Sequence, residues 1–211
     1  MSKRRVGLMM MMIGVLAVTA GLGLGAYNLW DNYRAGIQAD IALDEIIQYQ
    51  EKVAVVPRES QKVLPDSTPN PNREMPVLEI DGKRYIGTVS IPAVDIELPV
   101  QEDWSLELLS TSPCRYMGSV YDGGFIICGH NYATHFGRLS NLLPGDQVIF
   151  TDVEGNEFRY VVWEMHTIDG TAVDAMKSGD WDLTLFTCTL SGLARTTVRC
   201  KLIEKQSKWL P

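Results

Sequence analysis

Histidine and cysteine are scarce in this 211-residue chain, three and four in all, and the scarcity closes off several chemistries. No Cys-x-x-Cys occurs, and Cys128 and His130 stand too close together for an ordinary structural zinc pair, so no metal site is expected. Absent too are a Gly-x-Ser-x-Gly elbow, a phosphate-cradling glycine loop and a His-Glu-x-x-His pair, which argues against serine esterases, nucleotide hydrolases and zinc proteases. Residues 6–30 lack charge altogether, no second apolar run of that length follows, and no internal repeat is evident. Positive charge is the minority sign. Of 19 basic residues three are Lys3, Arg4 and Arg5, which leaves 16 against 26 acidic ones, a net of −10 for the rest. Nucleic acid is therefore not an expected partner.

What is present begins with the uncharged run itself. At about 1.5 Å per residue a helix over residues 6–30 exceeds the roughly 30 Å hydrocarbon core and spans it with some tilt. A cleaved signal peptide is the competing reading, but its apolar region is shorter, and a retained anchor is preferred. Lys3, Arg4 and Arg5 then hold the N-terminus in the cytoplasm and leave the remainder outside, a single-pass membrane protein. Over residues 31–53, Ile37, Ile41, Leu43, Ile46 and Ile47 recur at helical spacing, which predicts an amphipathic helix serving as a stalk or a packing arm. Residues 54–76 carry Pro57, Pro65, Pro69, Pro71 and Pro76 among polar residues and read as an extended linker. Residues 77–211 suffice for one domain with one core.

That domain is expected to be mainly β. Strand-like runs recur at 84–91, 95–100, 124–128, 147–151, 157–165, 182–189 and 196–203, with a tight hairpin at 153–156 and short helices near 105–110, 135–143 and 171–177. Seven or eight strands without strand and helix alternation predict a closed barrel or a sandwich rather than a parallel α/β sheet.

Cys114, Cys128, Cys188 and Cys200 allow three disulfide pairings, among which the sequence does not choose. Cys128 and Cys200 sit inside apolar runs and read as inert core thiols, whereas Cys188 sits where a strand emerges toward a loop. His130 follows another apolar strand, and Arg195 opens the last one. Thr184, Leu185, Thr187 and Cys188, with Gly129 and His130 upstream and Arg195 downstream, resemble the signature of the sortases, membrane-anchored cysteine transpeptidases of Gram-positive bacteria. The resemblance extends over most of residues 84–204, including 136–149. It implies a sortase-like barrel with Cys188 as nucleophile, His130 as general acid and base, and Arg195 as the donor that stabilises the oxyanion. Seven residues separate Cys188 from Arg195, short for the family, so Arg199, on the same strand face, is the alternative. His135 is expected to start the next helix, and His166 has no motif support. Thr187 is expected to contact substrate unless it only packs in the strand.

By resemblance, the donor is a surface protein or pilin with a C-terminal sorting signal of the Leu-Pro-x-Thr-Gly type, cut between Thr and Gly. The acceptor is an amine of a peptidoglycan precursor or a pilin lysine, and no metal or organic cofactor is required. Residues 54–76, with Asp66 facing Cys188 or Arg195, would be a lid like that of pilus-building members if they are not simply a linker. The competing functions are a cell-wall cysteine hydrolase and a non-catalytic anchored binding module.

Overall fold

The structure, a computed structural model, describes residues 3–55 and 73–207. Its first element, α1 (Lys3–Val55), runs 53 residues without a proline, the residue that breaks a helix interior outright. The uncharged run and the amphipathic stretch after it are thus one continuous helix. It is long and apolar enough to cross a membrane. The chain divides into two compact units, Met1–Arg34 and Ala35–Pro211. In the first, the large apolar side chains from Val6 to Trp30 stand exposed.

Within the second unit, α1 buries Ala35, Ala39, Ala42, Ile46 and Gln50. Their spacing of three or four residues places them on one helix face. Ala42 and Ile46 pack with Ile80 and Tyr85, and Ala39 joins the main core. At the far end the Gln50 side chain donates to the carbonyl of Asp152 at 2.8 Å. Residues 35–50 therefore lie against the body along one face. Most of the stretch 54–76, Asp66 included, lies outside the described residues. Met75 at its end packs into the core.

Nine strands follow: β1 (Leu78–Ile80), β2 (Lys83–Ile91), β3 (Ile96–Gln101), β4 (Cys114–Ser119), β5 (Gly123–Gly129), β6 (Gln147–Asp152), β7 (Asn156–Asp169), β8 (Leu183–Cys188) and β9 (Ala194–Ser207). Eight close into a ring in the order β2, β3, β4, β5, β8, β9, β7, β6, and β6 returns to β2. This is the mainly β closed barrel that the sequence predicts. Its interior is filled by Ile86, Phe125, Phe150, Phe158, Leu183 and Val198, with Phe125 and Phe150 edge to face at 5.0 Å. At the β2–β6 seam a Cβ on Gly87 would lie 2.1 Å from the Thr151 carbonyl oxygen, so the ring closes there only over a glycine.

Two strands go beyond the sequence expectation. β1 and β2 form a hairpin around Asp81 and Gly82, both at positive φ (49° and 74°), the two-residue turn for which Asp-Gly is a strong signal. β4 escapes pattern reading because register shifts after Arg115 and again after Met117 break its alternation. The expected helix at 135–143 is a 3₁₀ turn, Phe136–Asn141. Short helices α2 (Leu106–Leu109), capped by the Ser105 hydroxyl accepting from the Leu108 amide at 3.0 Å, and α3 (Val173–Lys177) stand in the loops before β4 and β8.

Candidate active site

Three neighbouring strands bring the expected residues together. β5 and β8 run parallel with Gly129 opposite Thr187, so the next residues, His130 just past β5 and Cys188 at the end of β8, stand side by side. β8 and β9 run antiparallel, and Cys188 pairs directly with Arg195. At about 4.8 Å between strands the three residues form one row about 10 Å long. The short interval between Cys188 and Arg195 follows from a tight turn in which the Thr189 amide donates to the Ala194 carbonyl at 2.9 Å. Gly129 is required locally, since a Cβ there would stand 2.7 Å from the Phe136 ring. The loop after His130 folds back on that contact, and the Phe136 amide donates to the His130 carbonyl at 3.0 Å.

His130, Cys188 and Arg195 all line one cavity of about 240 Å³. Its walls are largely apolar: Leu106 and Leu109 of α2, Val173 and Met176 of α3, Tyr116 of β4 and Phe186 of β8. Tyr116 meets Phe186 edge to face at 5.4 Å, and Trp104 meets Tyr116 at 5.5 Å. These wall residues were not singled out by sequence reasoning. Two of the short helices were, but nothing in a sequence says that α2 and α3 converge over the ends of β5 and β8.

The two arginines occupy different surroundings. Arg195 is partly exposed, and its Nη1 donates to the carbonyls of Gly192 at 3.0 Å and Ala194 at 3.1 Å. Among the described residues no acceptor takes its remaining donors. Arg199 is 4 % exposed and lies outside the cavity lining, with its guanidinium committed to Ala175, Met176 and Thr184. Thr187, the expected substrate contact, is 3 % exposed and also stands outside the lining, because adjacent strand residues face opposite ways. Among the described residues its hydroxyl is buried without a hydrogen-bond partner.

The histidines separate equally clearly. The Tyr132 ring lies between His130, stacked at 4.8 Å, and His135, tilted at 5.4 Å. His166 pairs with Glu164 at 2.8 Å on β7, outside the cavity lining. His135 is fully buried, and among the described residues neither ring nitrogen finds a partner in hydrogen-bond geometry. Burial pushes its pKa down to about 4, against the nearby Ala35 carbonyl, which favours the charged form, and with His130, which disfavours it. The folded state therefore binds fewer protons than the unfolded one between pH 6.5 and 4. Stability is unaffected by this group above pH 6.5 and falls as pH drops toward 4, by about 3 kcal/mol in all. His135→Phe is expected to flatten that acid limb by about this amount relative to its stability at pH 7, read from denaturant midpoints across the range.

All four cysteines are free, and Cys188 alone is not buried. Burial pushes the Cys128 and Cys200 thiols up to about 12 and Cys114 higher still. In the native full chain, iodoacetamide is expected to label Cys188 at least about a hundredfold faster than the other three, as read by peptide mass mapping. Asp169, exposed at the rim, has its carboxyl held below the usual range by the Thr171 hydroxyl and amide, with a smaller contribution from Arg195. Among the described residues no three metal-ligating side chains come together.

A sortase-domain family model matches residues 89–203, more than half of the chain. The chain belongs to the sortase family. Sortase A of Bacillus anthracis is 28% identical to it over 160 residues, covering 72% of this chain and 76% of that protein. Among solved structures, Listeria monocytogenes sortase A matches at a TM-score of 0.53 and 24% identity over 58% of this chain and 89% of that one. Streptococcus pneumoniae sortase C matches at 0.52 and 24% over 77% and 88%. Streptomyces avermitilis sortase E matches at 0.51 and 25% over 58% and 90%. Sortases bearing three different class letters thus match this barrel about equally. This sortase is a transpeptidase.

Proposed function

We propose that this sortase cleaves a C-terminal sorting signal of the Leu-Pro-x-Thr-Gly type between Thr and Gly and passes the protein to an amine. The observation that carries the reading is the row of His130, Cys188 and Arg195 on one apolar-walled cavity. The Cys188 thiolate attacks the threonine carbonyl carbon and forms a C–S bond. Arg195 donates N–H bonds to the oxygen that gains negative charge. As the C–N bond breaks, the His130 imidazolium gives its proton to the leaving glycine amine. The incoming amine then attacks the thioester, His130 takes its proton, and Cys188 leaves as thiolate. Aromatic and aliphatic walls, with Trp104, Leu106 and Val173 exposed, suit an extended peptide with apolar side chains.

The acceptor is the amine of a peptidoglycan precursor or a pilin lysine, both presented outside the cell. Anchoring by α1 with Lys3, Arg4 and Arg5 in the cytoplasm puts the barrel where donor and acceptor emerge. The test incubates the full chain, in detergent, with a Leu-Pro-x-Thr-Gly peptide and an amine nucleophile and follows products by mass spectrometry. A ligated product is expected. Hydrolysis that no amine diverts would indicate a cell-wall hydrolase, and the absence of any turnover would overturn the reading.

A further inference from the structure

Arg199 is a buried cation whose hydrogen bonds, among the described residues, go to no carboxylate. Its Nη1 donates to the Met176 carbonyl and the Thr184 hydroxyl, each at 2.8 Å, and its Nη2 donates to the Ala175 carbonyl at 2.7 Å. Glu164, opposite it in register on β7, favours its charge from a distance. Ala175 and Met176 belong to the last turn of α3, where a helix leaves its carbonyls unpaired. A five-residue helix has little stability of its own, and α3 has no side-chain cap at its N-terminus. Its further holds on the sheet are Met176, 5 % exposed, whose sulfur accepts from the Thr197 hydroxyl at 3.8 Å, and Lys177, whose ammonium lies over the Tyr116 ring of β4 at 5.8 Å. Meanwhile Val173 and Met176 form one wall of the cavity that holds Cys188.

We propose that Arg199 is a positioning residue: it clamps α3 to the β8–β9 floor and so fixes the cleft wall against which the substrate peptide packs. This rests on the reaction proposed above. A planar guanidinium reaches two successive carbonyls and a hydroxyl at once, which a lysine ammonium does with poorer geometry. Because the clamp holds a wall and does not touch the reacting atoms, its loss weakens peptide binding and leaves the thiol chemistry intact.

The experiment compares the full chain with Arg199→Gln and Arg199→Lys in three measurements. For Arg199→Gln, KM for the sorting peptide is expected to rise about tenfold while kcat stays within about twofold. Iodoacetamide labelling of Cys188 is expected to keep its wild-type rate. Amide hydrogen exchange is expected to speed about tenfold or more over 173–177 and to stay unchanged in β5 and β8. Arg199→Lys is expected to fall between the two, and it decides the matter by itself if Arg199→Gln does not fold. A fall in kcat at constant KM, or slower labelling, would place Arg199 in the chemistry and overturn the proposal. Unchanged exchange over α3 would do so as well. A wild-type chain that turns over no sorting peptide defeats the proposed reaction instead, and the exchange result still stands or falls separately.

Discussion

Replacing Cys188 by alanine leaves a folded protein that forms no acyl-enzyme and loses turnover by at least about 10⁴-fold. The substitution removes only the sulfur from a partly exposed strand end, so the barrel and the cavity walls are expected to survive. Intact-mass measurement after incubation with a sorting peptide should find the thioester adduct on the wild-type chain and none on Cys188→Ala. Peptide binding, followed by fluorescence anisotropy, should persist, because the apolar walls contribute it and not the thiol. Cleavage by Cys188→Ala at more than a trace would remove Cys188 from the mechanism.

Arg195→Ala is expected to lower kcat by about 10²–10³-fold with KM changed less than about threefold, the pattern of a donor whose bonds strengthen only when the oxyanion forms. Arg195→Lys should recover part of that loss, since it restores the charge without the fork. Steady-state kinetics on one peptide checks both. Labelling of Cys188 by iodoacetamide should be unaltered in both variants, which separates a role on the substrate oxygen from a role on the thiol. The reverse pattern, a large KM effect and a constant kcat, would make Arg195 a peptide anchor instead.

Much of this molecule is legible in order along the chain, and less of it in space. Seven strands stand out as β-rich apolar runs bounded by turn residues, alternating in β6 and the first half of β7 and buried on both faces over much of β2, β5 and β8. β4 does not, because its bulges put successive residues out of phase, and β1 is short enough that only its Asp-Gly turn betrays it. His130, Cys188 and Arg195 are visible as motif positions, yet the choice between Arg195 and Arg199 is a matter of three-dimensional contact. Strand parity puts both on one face, and only the position of α3 distinguishes an arginine open to the cleft from one consumed by helix carbonyls. Thr187 illustrates the same gap. Its place beside the nucleophile suggests contact with substrate, whereas the pleat turns it into the interior.

The parallel pairing of β5 with β8 has a consequence for how the protein matures. His130 and Cys188 become neighbours only after the intervening β6, β7 and α3 have been synthesised and the ring has closed, so the site has no local precursor in the chain. Contacts of such long sequence separation are made late, after loop-closure entropy has been overcome. Until then Cys188 has neither His130 nor Arg195 beside it, so a chain still being made lacks the row on which the proposed reaction depends. Under the proposed reaction, activity therefore waits on the pairing of β8 with β5 and β9.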